Sequence, residues 1–204
     1  MVKIHTLALG PLQTNCHVVW AEGSASCVVV DPACSPEIIL AFAARQGLKV
    51  EAIFLTHGHF DHVGAVEALR DAAGCALWMH KGDYHQRKDS MNDYLYPLHD
   101  KELGKVDFCE DGDVISAAGL TFSVISTPGH SRGSVCYRTE DVLLSGDTLF
   151  AGGCGRTDLP GGDWAAIQIS LADLSELEDS VKVYPGHGES TTLAQEKRYN
   201  PYMR

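Results

Sequence analysis

Apolar positions along the chain come first in short runs broken by turn chemistry. Ile4 to Leu9, Cys16 to Trp20 and Ser26 to Val30 read as strands, separated by Gly10-Pro11 and Glu22-Gly23-Ser24. Asp31-Pro32 stops the third run. Ser35 then stands as an N-cap before Pro36 at the first helical position, and Gly47 closes that helix after Arg45 and Gln46. A short apolar run, Ala52 to Leu55, has loop chemistry on both sides and reads as a strand buried on both faces. A helical pattern from Val63 to Ala73 follows, ending near Gly74, and Ala76 to Met79 is a further short strand.

Residues 80–112 break the pattern. His80, Asp83, Tyr84, His85, Tyr94, Tyr96 and His99 form a polar and aromatic stretch of weak periodicity, read as a surface excursion and a lid or pocket wall, partly helical near Asp83 to Ser90. The strand pattern then resumes at Val114 to Ser116, Leu120 to Ile125, Ser134 to Arg138 and Val142 to Leu144. A helix capped by Asp163 is expected from Trp164 to about Leu177, then a strand from Val181 to Tyr184 and a helix from about Thr192 to Arg198. Strands followed by helices, twice over, predict two similar halves packed sheet on sheet with helices outside, as one domain spanning 1–204.

The chemistry gathers where the Ala52–Leu55 run stops. Thr56-His57-Gly58-His59-Phe60-Asp61-His62 places three histidines and an aspartate in the loop between a strand's carboxyl end and a helix start, where open α/β sheets hold ligands. Imidazole and carboxylate are the donors of zinc and iron sites. Gly58 lets His57 and His59 turn toward one point, while Asp61 and His62 face another. So many donors in so short a loop suggest two metals, since one zinc takes about four ligands and a catalytic one keeps a position open. A solvated His-rich loop would not need the strand–loop–helix setting seen here.

Charge and cysteine content narrow the partners. A formal net charge of -11 disfavours nucleic acid and anionic membrane, while leaving an anionic small molecule possible inside a metal-lined pocket. Seven scattered cysteines, an odd number without Cys-x-x-Cys pairs, fit a reducing compartment. With no charged and apolar leader at the N-terminus and no apolar run of membrane-spanning length, a cytoplasmic location is expected.

Three more strand ends carry single donors on Gly-containing loops: His130 in Thr127-Pro128-Gly129-His130, Asp147 in Ser145-Gly146-Asp147-Thr148, and His187 in Pro185-Gly186-His187-Gly188. Alone, each is an ordinary turn residue. Together with Thr-His-Gly-His-Phe-Asp-His, they resemble the metallo-β-lactamase superfamily, most closely its short glyoxalase II-like hydrolases, over essentially the whole chain. The resemblance implies an αββα four-layer sandwich with the site at the sheet edge. It also implies that His57, His59 and His130 hold one metal, that Asp61, His62 and His187 hold a second, and that Asp147 bridges them. The implied cofactors are two divalent ions, zinc foremost, with iron or manganese possible. The implied reaction is attack of metal-bound hydroxide on a thioester of the S-lactoylglutathione kind, Asp61 and Asp147 being catalytic as well as ligating. A thiolate leaving group needs little help from a general acid.

The loop after Asp147, Phe150 to Asp158, contains Gly153-Cys154-Gly155-Arg156. In glyoxalase II a basic residue after Gly-Cys-Gly meets a glutathione carboxylate, and Arg156 takes that place; a salt bridge to Asp158 or Asp163 is the competing role. Cys154 reads as a packing residue. The pattern departs from full-length glyoxalase II in having no C-terminal helical region that grips glutathione, and Asp158 and Glu189 stand where tyrosines would be expected. Two other activities share this ligand pattern. A mononuclear-iron glutathione persulfide dioxygenase fits the Gly153–Asp158 loop, and a lactonase uses the same donors.

Overall fold

The computed structural model describes residues 1–84 and 105–204. Two six-stranded sheets pack face to face. The first runs β1 (Val2–Leu9), β2 (Thr14–Ala21), β3 (Ser26–Val30), β4 (Lys49–Phe54), β5 (Ala76–His80), β6 (Asp107–Cys109), in that spatial order. Its first three strands pair antiparallel, and β3 to β6 pair parallel through helical crossovers. The second sheet has the order β14-β13-β10-β9-β8-β7, built from β7 (Val114–Ala117), β8 (Leu120–Ser126), β9 (Val135–Thr139), β10 (Val142–Gly146), β13 (Lys182–Pro185) and β14 (Thr191–Thr192). Between β10 and β13 the chain makes a small hairpin, β11 (Leu149–Phe150) with β12 (Gly153–Cys154).

Strand alternation explains the layers. In β3, Val28 and Val30 face the second sheet while Cys27 and Val29 face outward, and in β4 Ala52 and Phe54 point inward while Ile53 points outward. The inward set meets Phe122, Val124, Val135, Tyr137 and Leu144 of the second sheet. Phe54 lies edge-on to Phe122 at 5.0 Å and tilted over Tyr137 at 4.9 Å, so the two sheets interlock through aromatic rings. The outward face of the first sheet is covered by α1 (Pro36–Arg45) and α3 (Val66–Ala73), that of the second by α4 (Trp164–Ser175). Strands buried on both faces are why the sequence shows continuous apolar runs. The four-layer αββα sandwich implied by the resemblance is the observed architecture.

Several local expectations are corrected. The single helix read from Val63 to Ala73 is two: α2 (Phe60–Val63) and α3, broken at Gly64-Ala65. At the break Ala65 donates its N–H to the Pro32 carbonyl, and a Cβ on Gly64 would lie 2.4 Å from the Ala33 oxygen, so the loop after β3 wedges into the helix. Asp61 and His62 therefore sit in a helical turn, where the sequence reading had them in a loop. Ser35 precedes α1 with φ 54 and makes no side-chain cap, whereas Asp163 does cap α4 through Ala166 N at 3.0 Å. The 80–112 stretch contains β6 and a helical turn at 81–84. The lid proposed for it rests largely on residues 85–104, outside the described residues. The last helix is α5 (Leu193–Tyr199).

Truncating Phe54 to Ala should cost about 3–5 kcal/mol, because it removes the ring that joins the sheets. Urea unfolding measures this, and a loss below about 1 kcal/mol would mean that the inter-sheet core closes without it.

Candidate metal centre

The parallel pairs β3–β4 and β10–β13 point their carboxyl ends at one edge of the sandwich, and that edge collects the donors. Asp31 follows β3, His57 and His59 follow β4, and α2 adds Asp61 and His62. His130 follows β8, Asp147 follows β10 and His187 follows β13. The loops approach so closely that side chains are excluded at two glycines. A Cβ on Gly146 (φ 49) would lie 2.3 Å from Thr56 Oγ1, and one on Gly186 2.3 Å from Asp147 Oδ1.

Three donor groups result among the described residues; one, Asp31 with His57 and His62, shares its histidines with the other two, which are the triads that face Asp147. His57, His59 and His130 form one, Asp61, His62 and His187 the other, each with its ligand atoms within 4.8 Å of one another. His59 Nδ1 is 2.9 Å from His130 Nε2, and His187 Nε2 is 3.1 Å from Asp61 Oδ2. Asp147 lies between the triads, 3.4 Å from His62 Nε2, 3.5 Å from His187 Nε2 and 3.6 Å from His130 Nε2. All seven sequence-nominated metal residues thus converge.

The hydrogen bonds fix which nitrogen faces inward. Thr56 donates its hydroxyl to Asp31 Oδ2 (2.7 Å), leaving its oxygen to accept from His57 Nδ1 (3.0 Å) and His57 Nε2 turned inward. His62 Nδ1 donates to Asp31 Oδ2 (3.0 Å), and His130 Nδ1 to the Arg156 carbonyl (2.8 Å). This is the outer-partner logic of metal-bound imidazole. The consequence is visible in the buried atoms: His57 Nε2, His62 Nε2 and Asp147 Oδ1 have no hydrogen-bond partner. Buried donors and acceptors are rarely left so, and a cation among them supplies the missing interaction.

Electrostatics differ between the two triads. Burial, reinforced by the surrounding imidazoles, holds His57 below the usual range and His59 down to about 3, so both are neutral and able to ligate. Burial would lower His62 too, but Asp147 and Asp31 outweigh it and raise it. His187 is raised by its hydrogen bond to Asp61 and the charge of Asp147, against burial. Asp61 and Asp147 lie below ordinary carboxylates: burial opposes this, but His187 and His62 prevail for Asp61, and His62 and His130 for Asp147. Converging carboxylates make this edge favour positive charge, as a divalent cation needs.

Sequence reading missed the groups that hold these loops. Asp31, taken as a strand stop, accepts from Thr56 N (2.8 Å) and Thr56 Oγ1 as well as from His62. The signal available was its place at the end of a strand parallel to β4. Asp83, read as part of the polar excursion, is buried and accepts from Gly58 N (2.7 Å), Gly133 N (2.6 Å) and Ser131 Oγ (2.8 Å), tying the His57–His59 loop to the His130 loop. Asn15 donates both amide hydrogens to the Pro185 and Gly188 carbonyls at 2.9 Å, gripping the loop that carries His187. No spacing in the sequence marks Asp83 or Asn15.

A cavity of about 630 Å³ opens over the donors, in the range of small-molecule sites. Its walls include Leu12, Phe60, Phe150, Cys154, Arg156 and Leu159. Glu196 and Asn200, both buried, hold the β11–β12 hairpin on the cavity wall: Glu196 Oε2 accepts from Gly152 N (2.8 Å), and Asn200 donates to the Gly153 carbonyl (3.0 Å). Arg156 is exposed and makes a two-point ion pair with Asp158, Nε and Nη2 each at 2.7 Å, while lining the cavity.

The sandwich and its donor-lined edge define a metal-site protein of the αββα class. The metallo-beta-lactamase superfamily model matches residues 9–187, and the chain belongs to that superfamily. The hydroxyacylglutathione hydrolase GloC of Haemophilus influenzae is 30% identical over 99% of this chain and 98% of its own. Among solved structures, the BLEG-1 B3 metallo-beta-lactamase superposes with TM-score 0.86 at 36% identity, covering 100% of this chain and 99% of that one. TTHA1623 in a di-iron-bound form superposes with TM-score 0.84 at 38% identity, covering 97% and 99%. No helix among the described residues is long and apolar enough to cross a membrane.

Among the described residues, His17 is a buried histidine outside the triads. His17 donates to the Pro185 carbonyl (3.1 Å), accepts from Thr6 Oγ1 (3.0 Å), and is driven down to about 4, chiefly by burial. The unfolded chain binds that proton near pH 6.5 and the folded one near 4, so this residue withdraws stability as pH falls between those values and none above them. Relative to His17→Gln, the native protein should lose up to about 3 kcal/mol between pH 7 and 4, read from urea unfolding at several pH values. Parallel pH curves for the two proteins would contradict a neutral buried imidazole.

Proposed function

We propose that this protein is a binuclear divalent-metal hydrolase of small thioesters of the S-lactoylglutathione type. The observation that carries the reading is the pair of donor triads flanking Asp147, with three inward atoms left without hydrogen bonds. In this reading His57, His59 and His130 would hold one ion and Asp61, His62 and His187 the other, with Asp147 available to both. When bound, the metals would supply an activated water and polarisation of the carbonyl. Zinc, iron and manganese all suit these donors, and the di-iron form of TTHA1623 supports iron as a member of that set.

The chain's own residues do the rest. Asp31, Thr56 and the Arg156 carbonyl fix which ring nitrogen of His62, His57 and His130 faces the centre. Asp61 and Asp147, ionised well below neutral pH, keep negative charge at the centre for cations across the working range. A thiolate leaves without a dedicated acid. The likeness to GloC over nearly the full length of both chains supports a glutathione thioester. Arg156 on the cavity wall is the group suited to a carboxylate of the thiol half, exchanging Asp158 for the ligand.

Elemental analysis of protein purified without added metal, paired with thiol release from S-lactoylglutathione, tests the reading. About two divalent ions per chain and turnover are expected. A single iron, with oxygen uptake on glutathione persulfide, would replace the hydrolase by a dioxygenase. Asp147→Ala should abolish turnover while the fold persists, as the residue sits on a loop; full activity in a folded variant would sink the binuclear centre. Arg156→Ala should raise KM for the glutathione thioester about tenfold with kcat little changed. An unaltered KM would mean that the thiol half is held elsewhere.

A further inference from the structure

Beside the main cavity lies a second one of about 260 Å³ that the site as described does not use. It is enclosed by the β1–β2 turn (Leu9, Pro11), the loop after β3 (Ala33, Cys34) and Gly64 at the helix break. Leu12, Phe60 and Asp61 border both cavities, so the second opens directly beside the donors.

Its character differs from that of its neighbour. Among the described residues the polar lining side chains are Thr14 and Asp61, and Thr14 Oγ1 donates to Asp61 Oδ2 at 3.2 Å. The carboxylate is further engaged by His187. Among the described residues no cation lines the second cavity, whereas Arg156 lines the first. A polar or charged group entering the side cavity would exchange water for apolar walls without replacing its hydrogen bonds, an unfavourable transfer. An apolar chain would gain there. The volume is below that of drug-sized ligand sites and suits a few carbon atoms.

We propose that this side cavity is the acyl subsite: the apolar acyl chain of a thioester lies against Leu9, Ala33 and Cys34, and the charged thiol half lies in the main cavity toward Arg156. The assignment rests on the hydrolase reading above and makes it specific. The preferred substrates are thioesters whose acyl group carries a short unbranched hydrocarbon chain, with the carbonyl at the border formed by Asp61. Each added methylene should raise kcat/KM by up to about fourfold until the cavity is full.

The experiment has two arms. In the first, the metal-loaded protein and its Cys34→Phe variant are assayed on S-acetyl-, S-butanoyl- and S-hexanoylglutathione. The wild type should climb along the series, and the variant, whose ring fills the cavity, should lose at least tenfold on hexanoyl and less than about twofold on acetyl. In the second, hexanamide, which has neither thiol nor carboxylate, is titrated into wild-type protein while methyl resonances are followed. Shifts at Leu9 and Ala33, without shifts at Leu159 of the main cavity, are expected. If thioesters are hydrolysed with a flat profile that Cys34→Phe leaves unchanged, the subsite is wrong and the hydrolase stands. If no thioester is turned over but hexanamide shifts Leu9 and Ala33, the reaction is wrong and the apolar subsite stands. Hexanamide shifts at Leu159 alone, or none, overturn the subsite whatever the assays give, including when Cys34→Phe does not fold.

Discussion

Polar groups taken out of water must find partners, and at one edge of this sandwich too many of them are collected for the protein to satisfy alone. Five imidazoles and three carboxylates converge there, and Asp31 illustrates the solution the chain adopts. One carboxylate binds a backbone N–H, a hydroxyl and an imidazole, and so settles the orientation of His57 and His62 together. What is left over is a set of inward nitrogen and oxygen atoms with nothing opposite. The loops cannot relax away from one another, because Asp83 and Asn15 clamp them from behind. A rigid shell around unmet donors is how a protein prepares for a cation, since the geometry is held before the ion arrives.

Much of this was legible before any coordinates. The strands of the core announced themselves because burial on both faces leaves uninterrupted apolar runs, as in Val28 to Val30 and Ala52 to Leu55. Loop donors such as His130 and His187 were legible because glycine-flanked histidines at strand ends have few other uses when several occur together. The split between α2 and α3 was hidden, since Gly64 is tolerated in a helix and only the wedge of Pro32 and Ala33 makes it a break. Asp83 was hidden for the opposite reason. An aspartate among tyrosines, lysines and histidines looks solvated, and its burial depends on two loops distant in sequence closing over it. Pairs such as β11 with β12 are too short to leave a period.

The site also shows how backbone serves chemistry. Arg156 was singled out for its guanidinium, yet the group that touches a donor is its carbonyl, which orients His130. The guanidinium stands in solvent with Asp158. Side chain and main chain of one residue thus face different tasks, and substitution at this position separates them, because any residue supplies the carbonyl. The β11–β12 hairpin that carries this segment is itself tethered by Glu196 and Asn200 from the far end of the chain, so the cavity wall is only as firm as the docking of α5.

The donors are spread from β4 to beyond β13, across both sheets. Neither of the triads that flank Asp147 is complete until the second sheet, which supplies His130 and His187, has joined the first, and half of a set grips an ion weakly. Selection by those two triads would begin only once the fold has closed, among whichever ions the surroundings then offer. The identity of the metal would then record supply during maturation as much as a property written in the ligands.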